Sequence, residues 1–257
     1  MTNANGKDLN MKGNVEIGTN DAVLTGTTSD LLLSGTVAQT ITATAAGSVI
    51  KGAGNGQGIV KVSNAAGATL DIVLGTGGRL LNLTTSGTGH VILNKTGNLV
   101  DKLTWGATSV VEISTSMVQD ATIFTTNAIG NGIAVGATIV MPSDLAADST
   151  ITLITNAGAT TNVDNTVTRV NLAVKDTALV DYVATKTGTQ VVNVTANEKS
   201  AAAIATSLGA SKNEATAFRQ VRNAMVGSGS VTDLSTINGV LNERDGFTIS
   251  DDTLLAK

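Results

Sequence analysis

The chain has no cysteine, one proline (Pro142), one histidine (His90), one tryptophan, one tyrosine and three phenylalanines in 257 residues. Without cysteine there is no thiol nucleophile, no disulfide and no thiolate-held metal. Such a chain can also pass through an oxidising compartment without being locked by crosslinks. A single histidine excludes imidazole-based zinc clusters. Charged residues make up 14% of the chain, the net charge is −4 and no Lys/Arg cluster occurs, so nucleic acid is excluded as a partner. No run reaches the 18 apolar residues that a membrane-spanning helix needs. The opening MTNANGKDLN has none of the apolar stretch of a secretion signal. The expectation is therefore a cytosolic protein or a mature fragment with an added initiator Met. The fragment is favoured, because the opening resembles the middle of a repeat.

What the chain does have is small aliphatics and turns. Hydrophobic residues reach 42% while aromatics stay at 2%, and there are 28 glycines. A rounded core usually draws its volume from Phe, Tyr and Trp. Val, Ile, Leu and Ala suit a thin core of stacked coils instead. Two families of short strands run through the first half. One comprises Leu31–Leu33, Val49–Ile50, Leu70–Val73, Val91–Leu93 and Val110–Ile113. The other comprises Val23–Leu24, Ile41, Ile59–Val62, Leu80–Leu83 and Leu99–Leu103. Within each family the steps are roughly 18 to 21 residues, separated by turns such as AAGS, GNGQG and SGTGH.

A coil of that length cannot bury its own apolar face. Stacking coils in parallel pairs each backbone with the coils above and below, and buries one continuous column. Alternation such as Val60-Lys61-Val62 puts one side in and the other out. The pattern predicts a mainly β fold: a right-handed parallel β-helix, with an antiparallel sandwich or barrel as the alternative. The steps are near-constant, which favours the solenoid.

Between Ile133 and Thr195 the segments lengthen and alternate more regularly, as in STITLITNAG and ALVDYVATKTGTQVVNVTA. They predict antiparallel hairpins, one of them turning at Lys186-Thr187-Gly188-Thr189. Such an end closes the open edge of a solenoid. After it the period changes to Ala201, Ile204, Ala205, Leu208, which is helical. Asn197 is the expected cap of a first helix ending near Gly209. Ser211 with Glu214 forms a capping-box pattern for a second, with Phe218, Val221 and Met225 on one face and Gly227 after it. Leu234, Ile237 and Val240-Leu241 mark a third. These helices read either as a cap over the open end or as a surface for self-association. The expected organisation is 1–130 parallel β-helix, 131–196 closing β block and 197–257 helical region.

The order of these later parts resembles a family. Ile151-Thr152-Leu153-Ile154-Thr155, then Val180-Asp181-Tyr182-Val183-Ala184, then Val192-Asn193-Val194-Thr195-Ala196, are followed by Asn197-Glu198-Lys199-Ser200-Ala201-Ala202-Ala203-Ile204. This succession is similar to the C-terminal passenger region of type V autotransporters. Leu234 to Glu243 looks like that family's helix preceding the membrane barrel. No barrel follows within these 257 residues; one would need many alternating segments of about ten residues with aromatic girdles. The resemblance implies a cell-surface passenger exported through its own outer-membrane barrel and used in adhesion or host contact, against a host-cell surface protein or glycan. It also implies that about 130–196 is an autochaperone block that nucleates folding.

Some passengers of that family are serine proteases, and many β-helices cleave polysaccharides. A protease triad needs a base, a serine and an orienting carboxylate in contact. The only candidate base, His90, sits beside a turn glycine, where an exposed imidazole is the simpler reading. Gly227-Ser228-Gly229-Ser230 lies between helices with no strand before it, unlike a nucleophile elbow. Glycosidases need paired carboxylates, whereas Asp71, Asp101, Glu112 and Asp120 are scattered singly, and Asp71 and Asp101 are expected on outward strand positions. Trp105 is the single tryptophan that could stack on a sugar. Asp144, Asp148, Asp251 and Asp252 read as caps or turns, and Gly54-x-Gly56-x-Gly58 as a solenoid turn without a following helix. No catalytic, cofactor-binding or metal-binding residue is assigned. The expectation is a non-enzymatic surface passenger, with a polysaccharide-active enzyme or a self-assembling filament subunit as alternatives.

Overall fold

The computed structural model describes residues 2–3, 6–114, 122–127, 132–134, 136–142, 145–156, 173–187, 191–228, 237 and 240–241. They form a mainly β protein whose strands stack as a parallel solenoid. The first coil holds β1 (Thr2–Asn3), β2 (Leu9–Met11) and β3 (Val15–Ile17). The second holds β4 (Ala22–Leu24), β5 (Asp30–Leu33) and β6 (Gln39–Ala43). The third holds β7 (Val49–Gly52), β8 (Ile59–Val62) and β9 (Ala68–Asp71), and the fourth β10 (Val73–Leu74), β11 (Leu80–Thr85) and β12 (His90–Leu93). In the fifth, the long β13 (Asn98–Trp105) is followed by β14 (Val110–Ile113). Then come β15 (Thr122–Thr126), β16 (Gly132–Ile133) and β17 (Thr138–Val140).

Three sheets result: β1-β4-β7-β10, a second built on β2-β5-β8-β11-β13, and a third running β3-β6-β9-β12-β14-β17. The register makes inward columns. Leu9, Leu31, Val60, Leu83 and Leu103 stand in one, and Val15, Ile41, Leu70 and Leu93 in another. Apart from Leu9, all are essentially buried. Each buried aliphatic contributes roughly 1.5–3 kcal/mol of transfer free energy, so the column supplies the core that scarce aromatics do not. Trp105 and Phe124 add an edge-to-face pair, with centroids 6.1 Å apart and planes at 64°.

The repeat is longer and less even than the sequence suggests. In register, Leu31 lies beside Val60 and Val60 beside Leu83, while Leu83 lies beside Leu103. The steps thus vary from 29 to 20 residues. The two strand families also mix sheets: Leu31–Leu33 belongs to the second sheet, Val49–Ile50 to the first and Leu70 to the third. Turn length absorbs the difference. Two corners of one coil can differ by several residues without disturbing the ladder, so apolar spacing along the chain blurs while register in space is kept.

The corners are held by specific groups. Gly75 has φ +78°, and a Cβ there would collide with the Leu99 carbonyl oxygen of the next coil. Gln39, 1% exposed, accepts from Gly35 N at 2.7 Å and Asn64 Nδ2 at 3.1 Å, and donates to the Met11 and Gly13 carbonyls. Asn98 accepts from Leu74 N and donates to the Lys95 and Ile123 carbonyls. A buried amide with its partners in place ties three coils together where backbone ladder bonds stop.

Parallel pairing continues beyond residue 131. β16 pairs with β13, β17 with β14, β18 (Thr150–Asn156) with β15, and β19 (Ala173–Lys175) with β17, all parallel. The hairpin expected over IAVGATIVM is therefore another stretch of solenoid. Alternation alone does not distinguish a parallel from an antiparallel neighbour. Among the pairings of the described residues the direction reverses at β18, which pairs antiparallel with β21 (Val191–Glu198), and β20 (Val180–Thr187) follows it in the sheet order. The expected turn at 186–189 falls partly on residues outside those described.

By contacts the chain divides into two compact units, one of residues 1–142, 150–175 and 184–195, the other of 143–149, 176–183 and 196–257. The second contains α1 (Ala201–Leu208) and α2 (Lys212–Ser228). The cap of α1 is Ser200, whose hydroxyl accepts from Ala203 N, and not Asn197. Asn197 and Glu198 stay in β21, and the Lys199 N–H bonds to the Leu179 carbonyl, so the chain is still extended there. Gly209, at φ +62°, closes the helix in the left-handed conformation. The capping box of α2 is present in both halves, with Ser211 N to Glu214 Oε2 at 2.7 Å and Glu214 N to Ser211 Oγ at 3.3 Å. α2 continues through Gly227 to Ser228. Its buried face carries Ala215 and Arg222, while Val221 is exposed. Of the third expected helix, Ile237, Val240 and Leu241 are helical, and Leu234 lies outside the described residues.

Candidate functional surface

Outward side chains of the solenoid stand in ranks set by register. On the third sheet, one rank reads Asn14, Thr40, Thr69, Ile92, Glu112, Val140, Lys175. The rank beside it begins Glu16, Thr42, Asp71. On the second sheet, Asn10, Leu32, Lys61, Thr84 and Thr104 share a rank. Strand alternation alone places these groups, because each inward aliphatic forces its neighbours out.

Charged groups also face one another across coils. Lys51 Nζ lies 2.6 Å from Asp21, Lys95 Nζ lies 2.9 Å from Asp71, and Arg79 Nε lies 3.5 Å from Asp101. His90 Nδ1 lies 3.7 Å from Glu112. Hydrogen-bonded pairs continue the pattern: Thr44 donates to Glu16, and Asn82 and Thr104 bond to each other. Lys51 holds the Asp21 carboxyl below the usual aspartate range, overcoming the opposite effect of burial. For Asp101 burial wins and holds the carboxyl above that range, against the pull of Arg79. The Arg79–Asp101 pair is the more enclosed, with both side chains 19% exposed. Its position beside Gly56 is tight, since a Cβ there would come within 2.9 Å of Asp101 Oδ2. Arg79 also donates to the Thr125 carbonyl.

Each residue singled out from sequence now has a place. Asp71 and Asp101 are on outward strand positions, as expected, and each is taken up by a basic partner one coil away. His90 is exposed and, among the described residues, no serine hydroxyl bonds to its ring. Trp105 is 1% exposed and points into the column, so it offers no platform to a sugar ring. Gly54, Gly56 and Gly58 form the turn between β7 and β8, with no helix after it. Gly227 and Ser228 lie in the last turn of α2 and not between helices; Gly229 and Ser230 lie outside the described residues. Asp148 sits in a turn at φ +62°. Asp120, Asp144, Asp251 and Asp252 lie outside the described residues. No group of three or more His, Asp or Glu positioned for a metal occurs among the described residues.

No family model, curated protein or solved structure matches this chain.

In the second unit, Glu198 receives hydrogen bonds from Arg219 and from Asn223 Nδ2, the latter at 3.0 Å. Arg222, fully buried, donates to the Leu145 carbonyl. Sequence pattern did not flag these arginines, because an Arg in an amphipathic helix normally reads as solvent-facing. This network does not converge on an open site; it orients α2 against the Leu145 and Glu198 segments.

Proposed function

We propose that the chain is a non-enzymatic surface passenger, acting in adhesion or surface display and exported through an outer-membrane barrel. The observation that carries the reading is the order of parts: parallel coils, an antiparallel closure at β18 and β21, then α1 and α2. That order is the one the type V passenger resemblance requires. The coil-to-coil pairing of charges supports a binding role over catalysis, because Asp71, Asp101 and Glu112 are each engaged singly by a basic neighbour. What such a surface offers a host-cell protein or glycan is length and hydrogen-bonding side chains.

The test is protease shaving and fractionation of cells producing the natural protein. Cleavage of this segment on intact cells, with loss of cell attachment, is expected. Retention in the cytosol would overturn the reading. The Arg79–Asp101 pair gives the enzyme alternative its own check: turnover of an acidic polysaccharide by the purified chain, abolished in Arg79→Ala, would replace the passenger reading with that one.

A further inference from the structure

Asn55 and Gly56 stand in the corner between β7 and β8. In an Asn-Gly pair the side-chain amide and the following backbone nitrogen react readily with each other, because glycine leaves that nitrogen unhindered. The chain holds four such pairs, at Asn5, Asn55, Asn131 and Asn238, and of these asparagines Asn55 lies within the described residues. Asn55 is exposed, so water reaches it. Both reacting groups are nevertheless engaged. Asn55 Oδ1 accepts from Arg79 N at 3.0 Å, and Gly56 N donates to the Arg79 carbonyl at 2.9 Å. Arg79 immediately precedes β11, so the corner of the third coil is clamped to the fourth through the main chain of one residue. Gly56 itself is at φ +74°, with Asp101 Oδ2 close against it.

We propose that Asn55-Gly56 is a modification site gated by the docking of the third coil on the fourth. In the reaction the Gly56 nitrogen gives its proton to base and attacks Asn55 Cγ. A bond from that nitrogen to Cγ forms, the bond from Cγ to Nδ2 breaks, and the side-chain amide leaves as ammonia. The resulting five-membered succinimide takes up water at either carbonyl and opens to aspartate or isoaspartate. While the coils are docked, the Arg79 carbonyl holds the proton of the attacking nitrogen, and Arg79 N holds the amide oxygen away from it. Opening of the corner frees both groups at once, since one residue holds them. The product fits back poorly. Isoaspartate inserts a methylene into the main chain, and either product adds a carboxylate to a corner where Asp101 already stands. Modification thus records an opening and makes it irreversible. It does not depend on the passenger reading.

Peptide mapping of the intact chain tests this, after incubation at mildly alkaline pH either folded in buffer or unfolded in guanidinium chloride. Trypsin releases Gly52–Lys61, in which Asn55 is the sole asparagine. Conversion is read by mass spectrometry as the gain of an amide-to-acid change, split between two isomeric peptides. The folded chain should convert about tenfold or more slowly than the unfolded one, because the open fraction alone reacts. Leu83→Ala removes a fully buried side chain between Val60 and Leu103 and leaves the Arg79 main chain in place. It should move the folded rate toward the unfolded one. After dilution out of guanidinium chloride, isoaspartate should collect in the aggregated fraction and be depleted from the refolded monomer. Equal rates folded and unfolded, no conversion of Asn55 in the unfolded chain, a Leu83→Ala rate equal to the parent's, or isoaspartate spread evenly between aggregate and monomer would each overturn the proposal.

Discussion

At the level of single residues, the interior is sorted by whether a polar atom finds a partner. Gln39, Asn64 and Asn98 are all buried and all bonded, and they hold the corners of the coils. Thr85 is different. It stands in an inward column between Val62 and Trp105, 3% exposed, and among the described residues its hydroxyl has no hydrogen-bond partner. The Trp105 indole N–H beside it also has none. A buried, unsatisfied hydroxyl costs about 1–3 kcal/mol, and valine has nearly the same shape. Thr85→Val should therefore stabilise the protein by about 1 kcal/mol, read as a higher midpoint in urea with an unchanged slope. A lower midpoint would show that the hydroxyl is bonded in solution.

At the level of elements, the informative case is α2. Its capping box was readable three residues apart in the sequence, whereas its buried face was not. Arg222 goes inward because the Leu145 carbonyl is there to receive it, and Val221 is left exposed. The neighbouring Glu198 carboxyl is held below the usual glutamate range by the hydrogen bond from Arg219, with Asn223 assisting and burial opposing. A carboxylate whose folded pKa is depressed contributes stability above its unfolded pKa, and that stability is lost as pH falls through the folded value. Melting of the helical unit should thus become easier as pH drops below the ordinary glutamate range. Glu198→Gln should lower Tm at neutral pH and flatten this acid dependence, followed by circular dichroism at the helical band. An equally steep acid loss in the variant would assign the effect to other carboxyls.

At the level of the whole molecule, strand direction matters most. The parallel ladder runs from β1 to the β15–β18 and β17–β19 pairs, and β18 with β21 reverses it. Parallel pairing between distant strands is slow to form and leaves edges open to other chains while it does. Removal of residues 134–257 takes away β17 to β21, exposing the edges of β14 and β15. The truncated chain should refold more slowly and scatter light, as an autochaperone role for the closing block requires. Refolding at the parent rate without aggregation would contradict that role.

The sequence by itself determined the class of core and the way it is exposed. Few aromatics, many glycines and alternating Val, Ile and Leu favour stacked thin coils over an antiparallel sandwich or barrel, and alternation settled which of Asp71 and Asp101's neighbours face in. Helical spacing at Ala201 to Leu208 and the Ser211–Glu214 box were equally local, and both are found. Tertiary structure alone decided how many residues make a coil, which sheet each strand joins and where parallel gives way to antiparallel. Those depend on the partner across the ladder, and corner loops of different length hide that partner from any fixed spacing. The pairing of Arg79 with Asp101 and the inward turn of Arg222 are of the same kind. Each is set by a group about twenty or more residues away that the register brings alongside.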